Sequence, residues 1–408
     1  MRVVHGVAAF GLLTGSVGMA QAPEDMETLT ERVRKLERIV AELQSKADAQ
    51  AEIIVAQREQ LDRLAPSESV ASEPVETPQQ TASEKLAFSG LVEVEAGYSQ
   101  IDSDAGDGHE SDIAQGTFEL GLEVDITDWI RVRSVLLWEE DDTEPIDLDT
   151  AAVHLGNPDR SPYWLTAGRL YVPFGNFESH FITDALTLEL GETRETAVVA
   201  GWTAGDLDLS ATVYNGDVAE TGEADDTVDS IVLSGTFSRE WDGSSLALGL
   251  AYTNNLADSD GLQDAVAANA SGGTLDDRIG GFSGWAGFNL DNVTVLAEYV
   301  AALDTFAPNS LSFDGPGNDW TRESQPASLN LEAVCEIADR FAVAARYEHG
   351  DDTFDWLPQQ RGGVCASILL HDGRAASASL ALEYLHAVYD DADDTTEDTL
   401  TLQLSTSF

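Results

Sequence analysis

The chain has 408 residues, and 21 Lys plus Arg against 74 Asp plus Glu leave a formal charge of -53. That balance excludes a broad nucleic-acid surface, which needs clustered basic side chains to neutralise phosphate. Its 34 Gly and 3 Met point away from a helical protein, and after residue 22 no apolar run is long enough for a membrane-spanning helix.

At the N-terminus, Arg2 opens a short positive region, residues 3–19 are apolar and small, and Ala20-Gln21-Ala22 offers a small-residue cleavage site. Residues 1–22 therefore read as a secretory signal peptide, cut after Ala22 or, because Pro23 follows that position, after Ala20. Residues 23–64 carry a heptad seam with Val33, Val40, Ala47, Ile54 and Leu61 at a positions and mostly Leu at d. This predicts a self-associating coiled-coil arm; the other reading is an amphipathic helix folded back on the body. Residues 65–85, with Pro66, Pro74 and Pro78 among Ser, Glu, Gln and Thr, lack apolar residues to pack and read as a flexible linker.

Residues 86–408 form one body with a period of two. Phe88, Val92, Val94, Ala96 and Tyr98 share one face, opposed by Ser89, Glu93, Glu95 and Ser99; Phe118, Leu120, Leu122 and Val124 repeat the pattern against Glu119 and Glu123. Sixteen such segments run from 87–100 to 397–408. Tight joins at Thr127-Asp128, Gly205, Asp291 and Asp372-Gly373 alternate with long ones at 101–112, 172–194, 216–228, 255–279 and 304–325. An even number of strands with short turns at one rim and long loops at the other predicts an all-β membrane protein, a 16-stranded antiparallel transmembrane β-barrel. Closure with the apolar face in lipid satisfies every backbone group and leaves no edge. Tyr98, Trp129, Trp138, Tyr252, Tyr299, Tyr347 and Tyr384 sit near strand ends, where an interfacial girdle requires them, and the chain finishes on Phe408 in an alternating strand.

The body holds 12 Arg, no Lys and 60 Asp plus Glu, with the acid concentrated in long connections such as Asp102 to Glu110, Glu139 to Asp142, Glu223 to Asp229 and Asp390 to Asp394. These runs would form a negative mouth that attracts cations; they read equally as a solvated surface suited to high salt or to divalent bridging with lipopolysaccharide. None has the Gly and Glu placement of an EF-hand loop, and neither a metal site nor a cofactor is expected.

Alternation turns Glu93, Glu95, Glu119, Glu123, Arg131, Arg133, Glu298, Glu332, Arg346, Glu348 and Glu383 inward, as a mixed-charge pore wall or as mutually satisfied wall pairs. The third long connection carries Phe174, Phe177, Phe181, Leu186, Leu188 and Leu190, and apolar character of that extent must be buried. Placed in the barrel interior, it would narrow the pore and present Glu178, His180, Asp184, Glu189, Glu192 and Arg194 to solute. The other reading folds it over the rim or into a neighbouring protomer.

This same stretch, GRLYVPFGNFESHFITDALTLELGETRETAVVAGW at residues 168–202, resembles the LbtU family of siderophore porins, as does the order of signal peptide, coiled-coil arm and barrel. The resemblance implies passive uptake of a ferric siderophore or similar small solute through the bacterial outer membrane, without energy coupling. By analogy with porins it also implies a homotrimer in contact with outer-membrane lipid and lipopolysaccharide, with the arm in the periplasm. A general cation-preferring diffusion porin and a tether between outer membrane and cell wall are the alternatives. No enzyme is expected: none of His5, His109, His154, His180, His349, His371 and His386 lies in a G-x-S-x-G or H-E-x-x-H setting. Cys335 faces out and Cys365 in, one strand apart, which predicts free thiols.

Overall fold

The computed structural model describes residues 85–408 apart from 105, 141–142, 144, 223–226, 268, 270–272, 314–320, 354–355, 374 and 391–393. The signal segment, the arm and all of the linker but Lys85 lie outside the described residues.

The strands are β1 (Leu86–Asp102), β2 (Gly108–Thr127), β3 (Ile130–Trp138), β4 (Asp147–Leu155), β5 (Tyr163–Tyr171), β6 (Arg194–Ala204), β7 (Leu207–Tyr214), β8 (Ala219–Glu220), β9 (Ser230–Trp241), β10 (Ser244–Thr253), β11 (Thr274–Leu275), β12 (Gly281–Leu290), β13 (Val293–Ala302), β14 (Ala327–Ala338), β15 (Phe341–Asp351), β16 (Gln360–Asp372), β17 (Ser377–Val388) and β18 (Thr396–Ser407). All but β8 and β11 join one closed antiparallel barrel in which each strand pairs with its neighbours in sequence and β1 pairs with β18. The sixteen expected segments are these sixteen barrel strands. Closure is completed where Gly90 and Phe408 exchange backbone hydrogen bonds of 2.9 and 3.0 Å. A side chain at position 90 would collide with the Phe408 ring, so glycine there lets the last aromatic lie over the first strand.

The period-two pattern sorts the two faces. Outside, Val94, Leu120, Leu331, Leu382 and Leu402 are exposed, an apolar band whose solvent is lipid. Tyr98, Tyr252, Tyr299, Tyr347 and Tyr384 ring the rim nearer the long connections, and Trp129, Trp241 and Phe288 the rim of the short turns. Cys335 and Cys365 are free, as expected.

Two features depart from the sequence reading. The connection expected at 101–112 is largely strand: β1 and β2 stay paired out to Ile101 and Gly108, so this acidic run is the tip of a hairpin. Strand pairing continues past the apolar band because polar residues on both faces suit water there. The second departure concerns the lumen. Connections expected only as long loops also build an apolar core against the inner wall. Leu262, Ala265 and Val266 of helix α2 (Asp260–Ala267), Leu256 and Ala257 of a 3-10 turn at Leu256–Asp258, and Leu275, Ile279, Phe306 and Leu311 are buried with the inner-face residues Ala197, Tyr214, Val232, Ala251 and Val300. The parallel pair β8 and β11 ties two of these connections together.

Candidate functional site: an acid-lined constriction

The segment between β5 and β6, residues 172–193, has regular structure only in the single-turn helix α1 (Leu186–Gly191). Its N–H groups therefore lack ladder partners and, once buried, require acceptors. Inward-facing glutamates supply them. Glu298 of β13 accepts the N–H groups of Asn176 (2.7 Å) and Phe177 (2.9 Å) and the Thr187 hydroxyl (3.4 Å). On β14, Glu332 accepts the His180 N–H at 2.7 Å and the Ser179 hydroxyl at 3.1 Å. Glu383 of β17 takes the N–H groups of Ile182 (2.6 Å) and Thr183 (3.1 Å) together with the Thr183 hydroxyl (2.6 Å), and Glu348 of β15 takes the Leu186 N–H at 2.7 Å. Four strands thus hold one segment against the inside of the barrel.

Two arginines complete the seat. Arg346 has no exposed side-chain surface; it lies 3.4 Å from Glu332 and 3.8 Å from Glu348, and donates to the Thr183 carbonyl at 2.7 Å. Its guanidinium also stacks 4.3 Å from the centre of the Phe181 ring. Arg361 pairs with Glu348 at 2.6 Å and donates to the Asp184 carbonyl. Phe181 itself is buried on Val334, Ala344, Cys365 and Leu385, which are inner-face residues that are apolar. At the two ends of the segment, Val172, Phe174 and Leu190 enter the core built around α2. The close approach of α1 to α2 depends on Gly261, whose missing Cβ would lie 2.2 Å from the Glu189 carbonyl oxygen.

This geometry corrects part of the expected pore wall. Glu298, Glu332, Arg346, Glu348 and Glu383 are buried beneath the segment and do not face solute. The physical reason is the segment's own demand for acceptors, which period-two reading does not register. Arg194, expected at the constriction, is instead drawn into the wall: it binds Asp149 at 2.7 Å and Asp147 at 3.4 Å, while Tyr171 donates to Asp149 at 2.8 Å. Arg131 bridges Glu123 (3.4 Å) and Asp125 (2.7 Å) near the short-turn rim, with Arg133 opposite Glu123 in the register. Glu178 and His180 are exposed on the segment. The His180 imidazole stands 3.3 Å from Glu332, and that hydrogen bond raises its pKa. Glu189 in α1 and Glu192 at its C-terminal cap are pushed up to about 8 by burial; Asp258 and Asp260, on the facing connection, are pushed up to about 6 for the same reason.

A slot lies between the segment and the wall opposite its seat. Leu91 and Glu93 of β1, Thr117 and Glu119 of β2, Glu139 just past β3 and Gln403 of β18 face Phe177, Ser179, Phe181, Ile182, Asp184 and Leu188 across a slot of about 280 Å³. Gln403 also donates to Glu95 at 2.9 Å, steadying the wall. The sequence reading assigned Glu139 to the mouth. Continuing the β3 alternation from Val135 and Leu137, both buried inward, by one step turns Glu139 inward too, and this was the signal that could have found it.

The structure thus has the fold of the sixteen-stranded outer-membrane porins. It superposes on the outer membrane channel DcaP of Acinetobacter baumannii with a TM-score of 0.52 at 12% identity, covering 79% of this chain and 97% of that one. The anion-selective porin from Comamonas acidovorans (TM-score 0.53, 12% identity, 79% and 99% covered) and Pseudomonas putida OprB (0.53, 11%, 80% and 95%) are similarly related. No family model matches the chain. Among curated proteins, a UPF0422 protein of Coxiella burnetii is 25% identical over 317 residues, 74% of this chain and 64% of the relative. A UPF0422 protein of Legionella pneumophila strain Lens is 26% identical over 235 residues, 51% of this chain and 42% of the relative. The chain therefore spans less than two thirds of either relative's length.

Proposed function

We propose that this protein is a passive outer-membrane channel whose slot favours cations. The observation that carries the reading is the slot's lining: Glu93, Glu119 and Glu139 on the wall and Asp184 on the inserted segment line it, and no arginine does; Arg194, Arg346 and Arg361 are paired with Asp149, Glu332 and Glu348. Carboxylates confined in a narrow passage with low-dielectric walls raise the local cation concentration and lower that of anions. The apolar outer face with its aromatic rims supports contact with outer-membrane lipid and lipopolysaccharide, and the likeness of the barrel to porins supports assembly as a homotrimer; the periplasmic placement of the N-terminal arm rests on the sequence alone. The test is the reversal potential of the purified chain in a planar bilayer across a KCl gradient. A potential of the sign set by potassium is the expected result; one set by chloride, or no current, overturns the reading.

A second reading, uptake of a ferric siderophore, is favoured by one observation. The residues that resemble siderophore porins, 168–202, include the segment that lines the slot. Block of the current by a ferric siderophore at low concentration supports it, and unimpeded current in its presence removes it.

A further inference from the structure

The outer face of the barrel is not uniform. Across β9, β10, β12 and β13 it carries an open apolar groove of about 670 Å³. Gly284, Ala286 and Ala297 give it a floor near the backbone, and Leu250 and Tyr299, both exposed, stand beside Gly284 on either side. Small residues alone set a shape and name no occupant. A second observation, one of charge, supplies it. Arg131, Arg133, Arg346 and Arg361 turn inward, whereas Arg239 shares the outward face of β9 with Phe237 and Trp241 and pairs with Leu246 in the register. Phe237 lines the groove, so Arg239 stands two residues, about 7 Å, beyond it toward the short-turn rim. Its partner Asp206 is 3.9 Å away, beyond hydrogen-bond reach, and the two side chains are 65% and 47% exposed. So loose and exposed a pair contributes little, and the guanidinium keeps its donors for another anion. A cation on the lipid face is costly at mid-bilayer and tolerated near the interface, where phosphate head groups lie.

We infer that this groove and Arg239 form a binding site for one glycerophospholipid of the periplasmic leaflet. The phosphate lies against Arg239, beside Trp241 and Phe288, whose rings are 6.3 Å apart at the short-turn rim; one acyl chain runs along the groove over Ala286 to Gly284. Guanidinium suits phosphate because its forked N–H groups meet two oxygens at once. The length agrees as well. Gly235 is level with Gly284 in the sheet, and the four residues from Arg239 to Gly235 span about 13 Å along the strand. That is half of the roughly 25 Å apolar band, the depth of one leaflet. The inference rests on the barrel standing in the outer membrane with its short turns toward the periplasm, and not on what the lumen passes.

The experiment is native mass spectrometry of the full chain released from detergent after incubation with dioleoylphosphatidylglycerol, or with dioleoylglycerol, which has the same tails and no phosphate. The parent chain should retain the phospholipid roughly tenfold better, as a hydrogen-bonded ion pair implies. Arg239→Gln should abolish that preference. Ala297→Leu, which fills the floor, should lower retention of both lipids roughly fivefold, whereas Ala200→Leu on the outer face of β6 should change neither. Equal retention of the two lipids by the parent, or phospholipid retention unaltered in Arg239→Gln or Ala297→Leu, overturns the inference. The channel reading then still stands, since neither residue faces the lumen. A dimer mass that Ala297→Leu dissolves while the lipid count holds also overturns the inference, by placing a second copy on this face.

Discussion

Glu383 and Thr183 are joined twice: one carboxylate oxygen accepts the threonine hydroxyl at 2.6 Å, and the other accepts its N–H at 3.1 Å while also taking the N–H of Ile182. Two residues 200 positions apart thereby fix the tip of the inserted segment to β17. Repeated at Glu298, Glu332 and Glu348, this arrangement makes the segment's position a property of the barrel wall rather than of the segment alone.

Hydrogen bonds to a charged acceptor contribute about 1.5–3 kcal/mol each, and a neutral amide keeps only part of that. Glu383→Gln should therefore loosen the tip. Cys365 reports it directly, since it pairs with Glu383 in the register and lies under Phe181. In a Cys335→Ser background, the reaction of Cys365 with a water-soluble thiol reagent should accelerate roughly tenfold or more, each factor of ten corresponding to about 1.4 kcal/mol. An unchanged rate would show that this carboxylate does not hold the segment.

Gly261 marks the approach of α2 to α1. Alanine there brings a carbon to 2.2 Å from the Glu189 carbonyl oxygen, so the helices must separate. Overpacking of this kind costs about 1–3 kcal/mol. Gly261→Ala should lower the melting temperature in detergent while the strand signal in circular dichroism is retained; an unaltered melting temperature contradicts the contact.

The same helix contact makes stability depend on pH. Burial pushes Glu189 and Glu192 up to about 8 and Asp258 and Asp260 up to about 6, with Arg169, Arg194, Arg278 and Arg361 close enough to pull some of them back down. Unfolded, these groups ionise near 4, so between about pH 4 and 8 the folded chain binds more protons than the unfolded one. Stability must then fall as pH rises through that window. Thermal unfolding at about pH 6 and about pH 9 checks the sign. The Glu189→Gln/Glu192→Gln variant should flatten the profile, and a melting temperature that rises with pH would contradict the burial of these groups.

Selectivity should follow the slot carboxylates. Glu93→Gln together with Glu119→Gln should move the cation-to-anion permeability ratio toward unity. The change should be larger in 0.1 M than in 1 M salt, because the screening length shrinks from about 10 Å to about 3 Å. Reversal potentials at both concentrations measure it, and an equal ratio in variant and parent would place selectivity elsewhere.

The barrel was legible because its evidence is local and repeated: Val92, Val94 and Ala96 alternate with Glu93 and Glu95, and every further strand restates that rule. The apolar content of residues 172–193 likewise announced a segment that must be buried. Its partners were not legible. Inward Val334, Ala344 and Leu385 break the polar-lumen rule only because Phe181 covers them, and that contact joins residues more than 150 positions apart. Glu298 and Glu119 look alike in sequence, each an inward glutamate on an alternating strand. Only the folded chain separates a carboxylate that receives backbone N–H groups from one that faces the slot.

The most direct measurement is single-channel conductance of the parent chain and of the Glu298→Gln/Glu383→Gln variant in the same bilayer. If wall glutamates hold the segment across the passage, the variant should pass a larger and noisier current with weaker cation preference. Conductance and selectivity identical to those of the parent would contradict a constriction held in this way.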